Sequence, residues 1–168
     1  LSPQVATRAA TAARGVLQKL LPDVFVANDV YGGKEAGKGA SLSVHLVAET
    51  TAGCLLAAER VAGAREAPEE LGKAVAKGLL DAVARGGCVG VENVPLLLPL
   101  MALGPTDVSR LRVAALTPAA VETLRLLRSF FGVEFRLKAE PKGSVAQAPT
   151  ILLSCVGIGY KNMAKKAT

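Results

Sequence analysis

The stretch LTPAAVETLRLLRSFF, residues 116–131, decides how the second half of this chain folds. Thr117 is suited to cap a helix, and Pro118 suits the first helical position because its φ is already helical and it has no N–H to leave unpaired. Apolar side chains then recur at positions 121, 124, 127 and 131, which is helical spacing. The stretch therefore predicts a helix over 118–131.

The front end of this helix is where a reactive group could be expected. Free backbone N–H groups and partial positive charge at a helix N-terminus favour a phosphate or a reacting group. The residues after Pro118 are Ala119 and Ala120, whose methyl groups carry no chemistry. The stretch is therefore either an ordinary core helix or a reactive site that lacks its reactive side chain.

Both strands and a further helix are predicted around this helix. Alternating apolar and polar residues predict a strand near 108–114, another in VEFRLKAE (133–140) and a buried one in TILLSCVGIG (150–159). A short apolar helix is predicted near 92–103. The second half therefore reads as two helices and three strands.

The first half adds a unit of its own. Ser2 and Pro3 start an alanine-rich helix, and residues 23–31 alternate as a strand would. Residues 41–61 predict a hairpin, and Pro68 opens a helix that has acidic residues in its first turn and a glycine pair after its end. Together the two halves predict an α+β fold made of two units.

Composition limits the classes of protein to consider. Hydrophobic residues make up 51% of the 168 and charged residues 20%, which suits a packed core and disfavours bulk disorder. No apolar run is long enough to span a bilayer, and no signal-peptide pattern is present, so we expect no membrane association. The first residue is not methionine, and we expect the sequence to be a piece of something longer.

The net charge of +6 is uneven. Residues 88–168 carry ten Lys and Arg against five Asp and Glu, which is +5 and leaves +1 for residues 1–87. Such charge suits RNA or an acidic protein surface. A solvated tail that lysines keep soluble accounts for the charge alone equally well.

The cysteines and the histidine give little support to a metal or disulfide site. Cys54, Cys88 and Cys155 are far apart and odd in number, and His45 is the single histidine. Neither a zinc cluster nor a disulfide framework is supported, so we predict no metal site and a reducing compartment.

Two further features have a catalytic and a structural interpretation. His45 would need a partner to act as a base, whereas its position on the polar side of a strand favours a solvated or contact-face histidine. The glycines of GIG (157–159) do not complete a phosphate-binding fingerprint. They are more typical of a strand end that another backbone approaches closely.

Four segments carry a resemblance that spans nearly the whole chain in the same order. They are HLVAETTAGCLLAAER (45–60), PEELGKAVAKGLLDAVARGGCVG (68–90), LGPTDVSRLRVAALTP (103–118) together with LLRSFFGVEF (126–135), and CVGIGYKNMAKK (155–166). The chain resembles the RNA 3′-terminal phosphate cyclase family, and within it the eukaryotic, non-catalytic, cyclase-like branch of ribosome biogenesis. The resemblance covers the C-terminal half of such proteins.

The resemblance implies a domain division. In that family a large domain is built from repeated α+β units like the C-terminal domain of a bacterial translation initiation factor, and a smaller domain is inserted into it. By resemblance, residues 1–85 would be most of the inserted small domain. Residues 86–168 would be the C-terminal repeat of the large domain.

The resemblance also identifies the missing reactive side chain. Catalytic members carry a histidine near the start of the helix that matches residues 118–131, and it attacks ATP and carries AMP covalently. That position falls on Ala119 here, and its neighbours are not histidine either. The acidic residue and glutamine of catalytic members fall on Pro95 and Leu96. We therefore predict no catalytic residue, no cofactor and no enzymatic activity.

The function implied by the resemblance is that of an assembly factor of the small-subunit processome. Such proteins are nucleolar, support early processing of the 18S rRNA precursor and bind a large GTPase of that particle, which also contains pre-rRNA and small nucleolar RNP. The alternatives are an RNA endonuclease, an ATP-dependent RNA 3′-phosphate cyclase and a generic basic RNA-binding domain. Candidate RNA or partner contacts are Arg125, Arg128, Lys161, Lys165 and Lys166.

Overall fold

The computed structural model describes residues 2–21, 23–32, 35, 39–141 and 148–161. Its elements belong to two compact units, Leu1–Val83 and Ala84–Thr168. Helices and two small antiparallel sheets confirm the predicted α+β class. In chain order the elements are α1 (Pro3–Leu17), β1 (Ser43–Glu49), β2 (Leu55–Val61), α2 (Pro68–Arg85), a 3-10 turn (Val91–Asn93), α3 (Val94–Leu103), β3 (Val108–Val113), α4 (Pro118–Phe131), β4 (Arg136–Glu140) and β5 (Thr150–Val156).

The first unit packs two helices against a hairpin. The strands β1 and β2 pair antiparallel, and the alternation predicted for residues 41–61 places every second side chain toward the helices. Leu56 is the most buried residue of the hairpin and meets the apolar faces of α1 and α2. The buried members of this core are Ala13, Leu17, Leu56, Ala76 and Leu79.

Small residues let α1 and α2 approach closely. A Cβ added to Gly72 of α2 would lie only 2.2 Å from the carbonyl oxygen of Ala9 in α1, so no larger residue fits there without movement. Beside this contact Arg8 and Glu69 form a two-point ion pair, with Nε–Oε1 at 2.5 Å and Nη2–Oε2 at 3.0 Å. The backbone contact and the ion pair together fix how the two helices meet.

The strand predicted over residues 23–31 is not present. The segment keeps the alternation, since Val24 and Val26 are half-buried and Phe25 is 91% exposed. However, within the described part of the chain no strand pairs with it. A strand exists only through hydrogen bonds to a neighbour, so the pattern alone leaves this segment extended and unpaired.

The second unit is a three-stranded antiparallel sheet with two helices on one face. The central strand is β5, which pairs with β3 on one side and β4 on the other. Leu153 and Cys155 of β5 and Val113 of β3 point toward the helices and are buried. The prediction of three strands in this half is therefore confirmed, although β4 begins at Arg136 and β5 ends before the GIG glycines.

The helices α3 and α4 cover that inner face. Every residue of α3 is apolar, and Val94, Leu98 and Ala102, which recur at four-residue spacing, are fully buried. In α4 the buried residues are Ala120 and Leu127, and Gly132 ends the helix at φ 65°. The predicted helix over 118–131 is confirmed residue for residue. In the part of the chain that the structure describes, no helix is long and apolar enough to cross a membrane.

Candidate functional site

Topology brings the starts of α3 and α4 to one end of the second unit. The strand β3 follows α3 and precedes α4, so the chain reverses twice and both helices begin where β3 ends. A hydrogen bond confirms this placement, because the Cys88 N–H donates to the Arg112 carbonyl at 2.9 Å, near the end of β3. This end therefore holds the two helix starts at which the resemblance leads us to expect the reactive groups of catalytic relatives.

The start of α4 is well capped and chemically inert. The Thr117 hydroxyl accepts a hydrogen bond from the Ala120 N–H at 3.2 Å, as the sequence predicted for a capping residue. Ala119 is exposed, whereas Ala120 is fully buried. A side chain at position 119 would thus be accessible to a substrate, but a methyl group can neither attack a phosphate nor transfer a proton.

The first turn of α3 carries no ionisable group, and the nearest one before it is the exposed Glu92 of the 3-10 turn. Pro95 lies in the first turn, where its missing N–H costs no hydrogen bond, and Leu96 exposes 68% of its surface. Hydrocarbon side chains at these two positions cannot orient a nucleotide or accept a proton. Among the residues that the structure describes, no group of three or more His, Cys, Asp or Glu side chains could hold a metal ion.

The GIG glycines close the end of α3 and do not form a phosphate loop. A Cβ on Gly157 would lie 2.4 Å from the carbonyl oxygens of Gly104 and Pro105, so another backbone does approach closely, as predicted. The N–H groups of Ile158, Gly159 and Tyr160 donate to carbonyls at the end of α3 and just after it, at 2.7–3.1 Å. These amides satisfy carbonyls that a helix end leaves unpaired, so they are not free to bind an anion.

His45 lies on the outer face of the hairpin β1–β2. It is exposed and pairs in register with Glu59 of β2. No serine, histidine and carboxylate are joined by hydrogen bonds anywhere in the described residues. Its placement agrees with the interpretation as a solvated or contact-face histidine.

A shallow cavity of about 150 Å³ lies beside α1 in the first unit. The extended segment 23–31 forms one wall of it, and the Asn28 side chain donates to the Thr7 hydroxyl at 3.4 Å. Ligand pockets for drug-sized molecules usually measure about 300–1,000 Å³, so this cavity is too small for a nucleotide. Its lining residues are Thr7, Ala10, Thr11, Arg14, Val26 and Asn28.

The structure describes three of the five predicted contact residues. Arg125 and Arg128 are exposed on one side of α4, but each forms an ion pair, with Glu122 at 3.4 Å and Glu134 at 3.1 Å respectively. Lys161 is exposed after β5. Lys165 and Lys166 lie outside the described residues, so their role stays a prediction.

The sheet of the second unit carries a basic surface that the sequence interpretation missed. Side chains of β3, β4 and β5 that point away from the helices include two rows that cross all three strands, Arg110–Ser154–Arg136 and Arg112–Leu152–Lys138. All four cations are exposed. We call this surface the basic sheet face; it consists of Arg110, Arg112, Arg136, Lys138, Glu140, Leu152 and Ser154. The signal that could have found it is the basic residue at every second position in SRLR and FRLK.

Comparison with known proteins shows what the chain is similar to. Residues 1–84 match the family described as RNA 3′-terminal phosphate cyclase (RTC), insert domain. The RNA 3′-terminal phosphate cyclase-like proteins of Mus musculus and Homo sapiens are 42% and 40% identical over 171 residues, which is 98% of this chain and 46% of theirs. The rRNA processing protein rcl1 of Schizosaccharomyces pombe is 39% identical over 99% of this chain and 45% of its own length. The chain thus spans about half the length of these relatives.

Proposed function

Since this chain belongs to the RNA 3′-terminal phosphate cyclase family, we propose that it acts in rRNA processing without catalysing a reaction itself. Support for the process comes from relatives that are named rRNA processing proteins in two yeasts. Support for the absence of catalysis comes from the exposed Ala119 at the start of α4, the position where the family's nucleophile is expected.

The proposal extends to the particle in which the protein works. We propose an assembly factor of the small-subunit processome, located in the nucleolus, that binds a large GTPase of that particle and supports early processing of the 18S rRNA precursor. These details rest on the resemblance to the ribosome-biogenesis branch. An assembly factor of this kind acts through interface energy, so it needs an accessible surface and no reactive centre.

One experiment tests the process. Depletion of the protein from cells is expected to accumulate unprocessed 18S precursor, and re-expression of the full-length protein is expected to restore processing. Affinity purification of the full-length protein is expected to recover the large GTPase together with pre-rRNA. Normal levels of mature 18S rRNA after depletion would contradict the proposed function.

A second experiment tests the absence of catalysis. Full-length protein is incubated with ATP labelled in its α-phosphate and with RNA that ends in a 3′-phosphate. We expect neither labelled protein nor cyclised RNA, and we expect the same result for the A119H variant because Pro95 and Leu96 still leave the nucleotide without polar partners. Labelled wild-type protein would establish the cyclase alternative, and specific cleavage of pre-rRNA by purified protein would establish the endonuclease alternative.

A further inference from the structure

The basic sheet face is a flat array of cations with known register. Neighbouring strands lie about 4.8 Å apart, so Arg110 and Arg136, which flank Ser154, are anchored about 10 Å from each other. The next row, with Arg112 and Lys138, follows about 7 Å further along the strands. The four basic side chains are therefore anchored at the corners of a rectangle. The shorter side chains of Ser154 and Leu152 lie between them on the central strand.

The charge of this face is largely uncompensated. Four cations and one carboxylate, Glu140, give a net charge of +3 on the face. Glu140 pairs with Arg112 at 2.7 Å, whereas Arg110, Arg136 and Lys138 have no ion-pair partner among the residues that the structure describes. By contrast, each arginine predicted as a contact on α4 has an acidic partner.

The chemistry of the face fits a phosphate backbone better than it fits bases. Guanidinium groups match phosphate oxygens in a two-point geometry, and the Ser154 hydroxyl between two of them offers a further donor. The outward-facing positions of β3, β4 and β5 include no aromatic side chain. Base stacking, which single-strand-binding sheets use, is therefore not available on these strands.

We propose that the basic sheet face binds the sugar–phosphate backbone of RNA, by charge and without reading its sequence. The identity of that RNA as pre-rRNA rests on the proposed function, whereas its binding in solution does not. Affinity of this kind falls steeply with salt, because each neutralised phosphate releases counterions and contributes about 0.7 to 0.9 to the slope of log K against log salt concentration.

The test compares two pairs of charge-removing substitutions in the full-length protein. R110Q/R136Q removes two cations of the basic sheet face, and R125Q/R128Q removes two ion-paired cations of α4. Binding to a labelled RNA of arbitrary sequence is measured between about 50 and about 200 mM salt. For R110Q/R136Q we expect an affinity at the lowest salt about tenfold weaker than wild type and a slope that is shallower by about 1.4 to 1.8.

The matched control separates position from total charge. We expect R125Q/R128Q to change the affinity less than threefold, and thermal unfolding to show that both variants are folded. Equal loss in the two variants would overturn the proposal, since net charge alone would then explain binding. Unchanged RNA affinity for R110Q/R136Q would also overturn it, and loss of the protein from pre-ribosomal particles in that case would identify the face as a protein contact.

Failure of this inference is distinguishable from failure of the proposed function. If depletion leaves 18S processing normal while R110Q/R136Q weakens RNA binding, the proposed function is wrong and the inference that the basic sheet face binds RNA is supported. If depletion blocks processing while both variants bind RNA like wild type, the proposed function stands and the inference is wrong. The two experiments therefore test the proposed function and the RNA-binding inference independently of each other.

Discussion

Arg112 of β3 and Glu140 of β4 form an ion pair, with 2.7 Å between Nε and Oε2, above the central strand β5 that separates them. Half of the Arg112 side chain and about a quarter of the Glu140 side chain remain accessible, so water screens the pair. Pairs of this kind contribute up to about 1 kcal/mol to the free energy of unfolding. The larger effect of Glu140 is that it lowers the positive potential of the basic sheet face.

E140Q is therefore expected to strengthen RNA binding. The change removes the negative charge and keeps the shape of the side chain, so we expect an affinity a few-fold higher than wild type and a salt slope steeper by about 0.7 to 0.9. The free energy of unfolding should fall by about 1 kcal/mol or less. E122Q, at the exposed pair on α4, is the control, and an equal gain there would contradict the prediction.

The close approach of α1 and α2 predicts opposite effects for two identical substitutions. G72A places a methyl group against the Ala9 carbonyl, and we expect it to lower the free energy of unfolding of the first unit by about 1–3 kcal/mol. G15A, where nothing lies within 4 Å, should raise it by up to about 1 kcal/mol because alanine favours a helix. Chemical denaturation of the two variants checks this, and equal effects would contradict the described packing.

The pair Arg8–Glu69 predicts a pH dependence of stability. The hydrogen bonds from Arg8 hold the pKa of the Glu69 carboxyl below its ordinary value of 4.5. Its stabilising contribution is therefore complete above pH 4.5 and disappears as the pH falls through the lowered pKa of the folded protein. We expect E69Q to be less stable than wild type at neutral pH and equally stable in acid.

The measurement is the denaturation midpoint of each protein at pH values from about 7 down to about 3. E70Q is the control, since Glu70 forms only an exposed pair with Lys73 within α2 and has no partner in α1 among the described residues. A difference between wild type and E69Q that persists unchanged at the lowest pH would refute the assignment.

The three cysteines are expected to differ in reactivity. Cys155 is buried in the second unit, and this desolvation raises the pKa of its thiol, whereas Cys54 and Cys88 are half-buried. Because the thiolate is the reactive form, an alkylating agent should modify Cys155 last in the native protein. Mass spectrometry of partially alkylated protein checks the order, and denatured protein should show no such preference. Early modification of Cys155 would contradict its burial.

Much of the second unit was predictable from local signals. The cap at Thr117, the proline after it and the apolar spacing to Phe131 are all contained within one stretch, and they describe α4 fully. The glycines after β5 correctly predicted a close backbone approach, because a residue without a side chain at a strand end leaves room for another backbone.

The failures concern relations between distant segments. Residues 23–31 alternate like a strand, yet alternation does not supply the partner whose hydrogen bonds define one. The basic sheet face was missed for a similar reason. Arg110 and Arg136 are 26 positions apart, and only the shared partner Ser154 shows that they lie in one row. Arg125 and Arg128 lie three positions apart on one helix, so their shared face follows from the sequence alone. Acidic neighbours nevertheless compensate their charge.

The hydrogen bonds that close the end of α3 have a consequence for synthesis. The carbonyls of Ala102 and Leu103 are satisfied by N–H groups of Ile158 and Tyr160, more than fifty positions later in the chain. A ribosome adds about 5–20 residues per second. About 3–11 seconds therefore pass between the translation of α3 and that of the residues whose amides complete it. Until those residues have been made, the carbonyls at the end of α3 lack these partners, so the second unit cannot be completed on the ribosome before β5 and the glycines after it emerge.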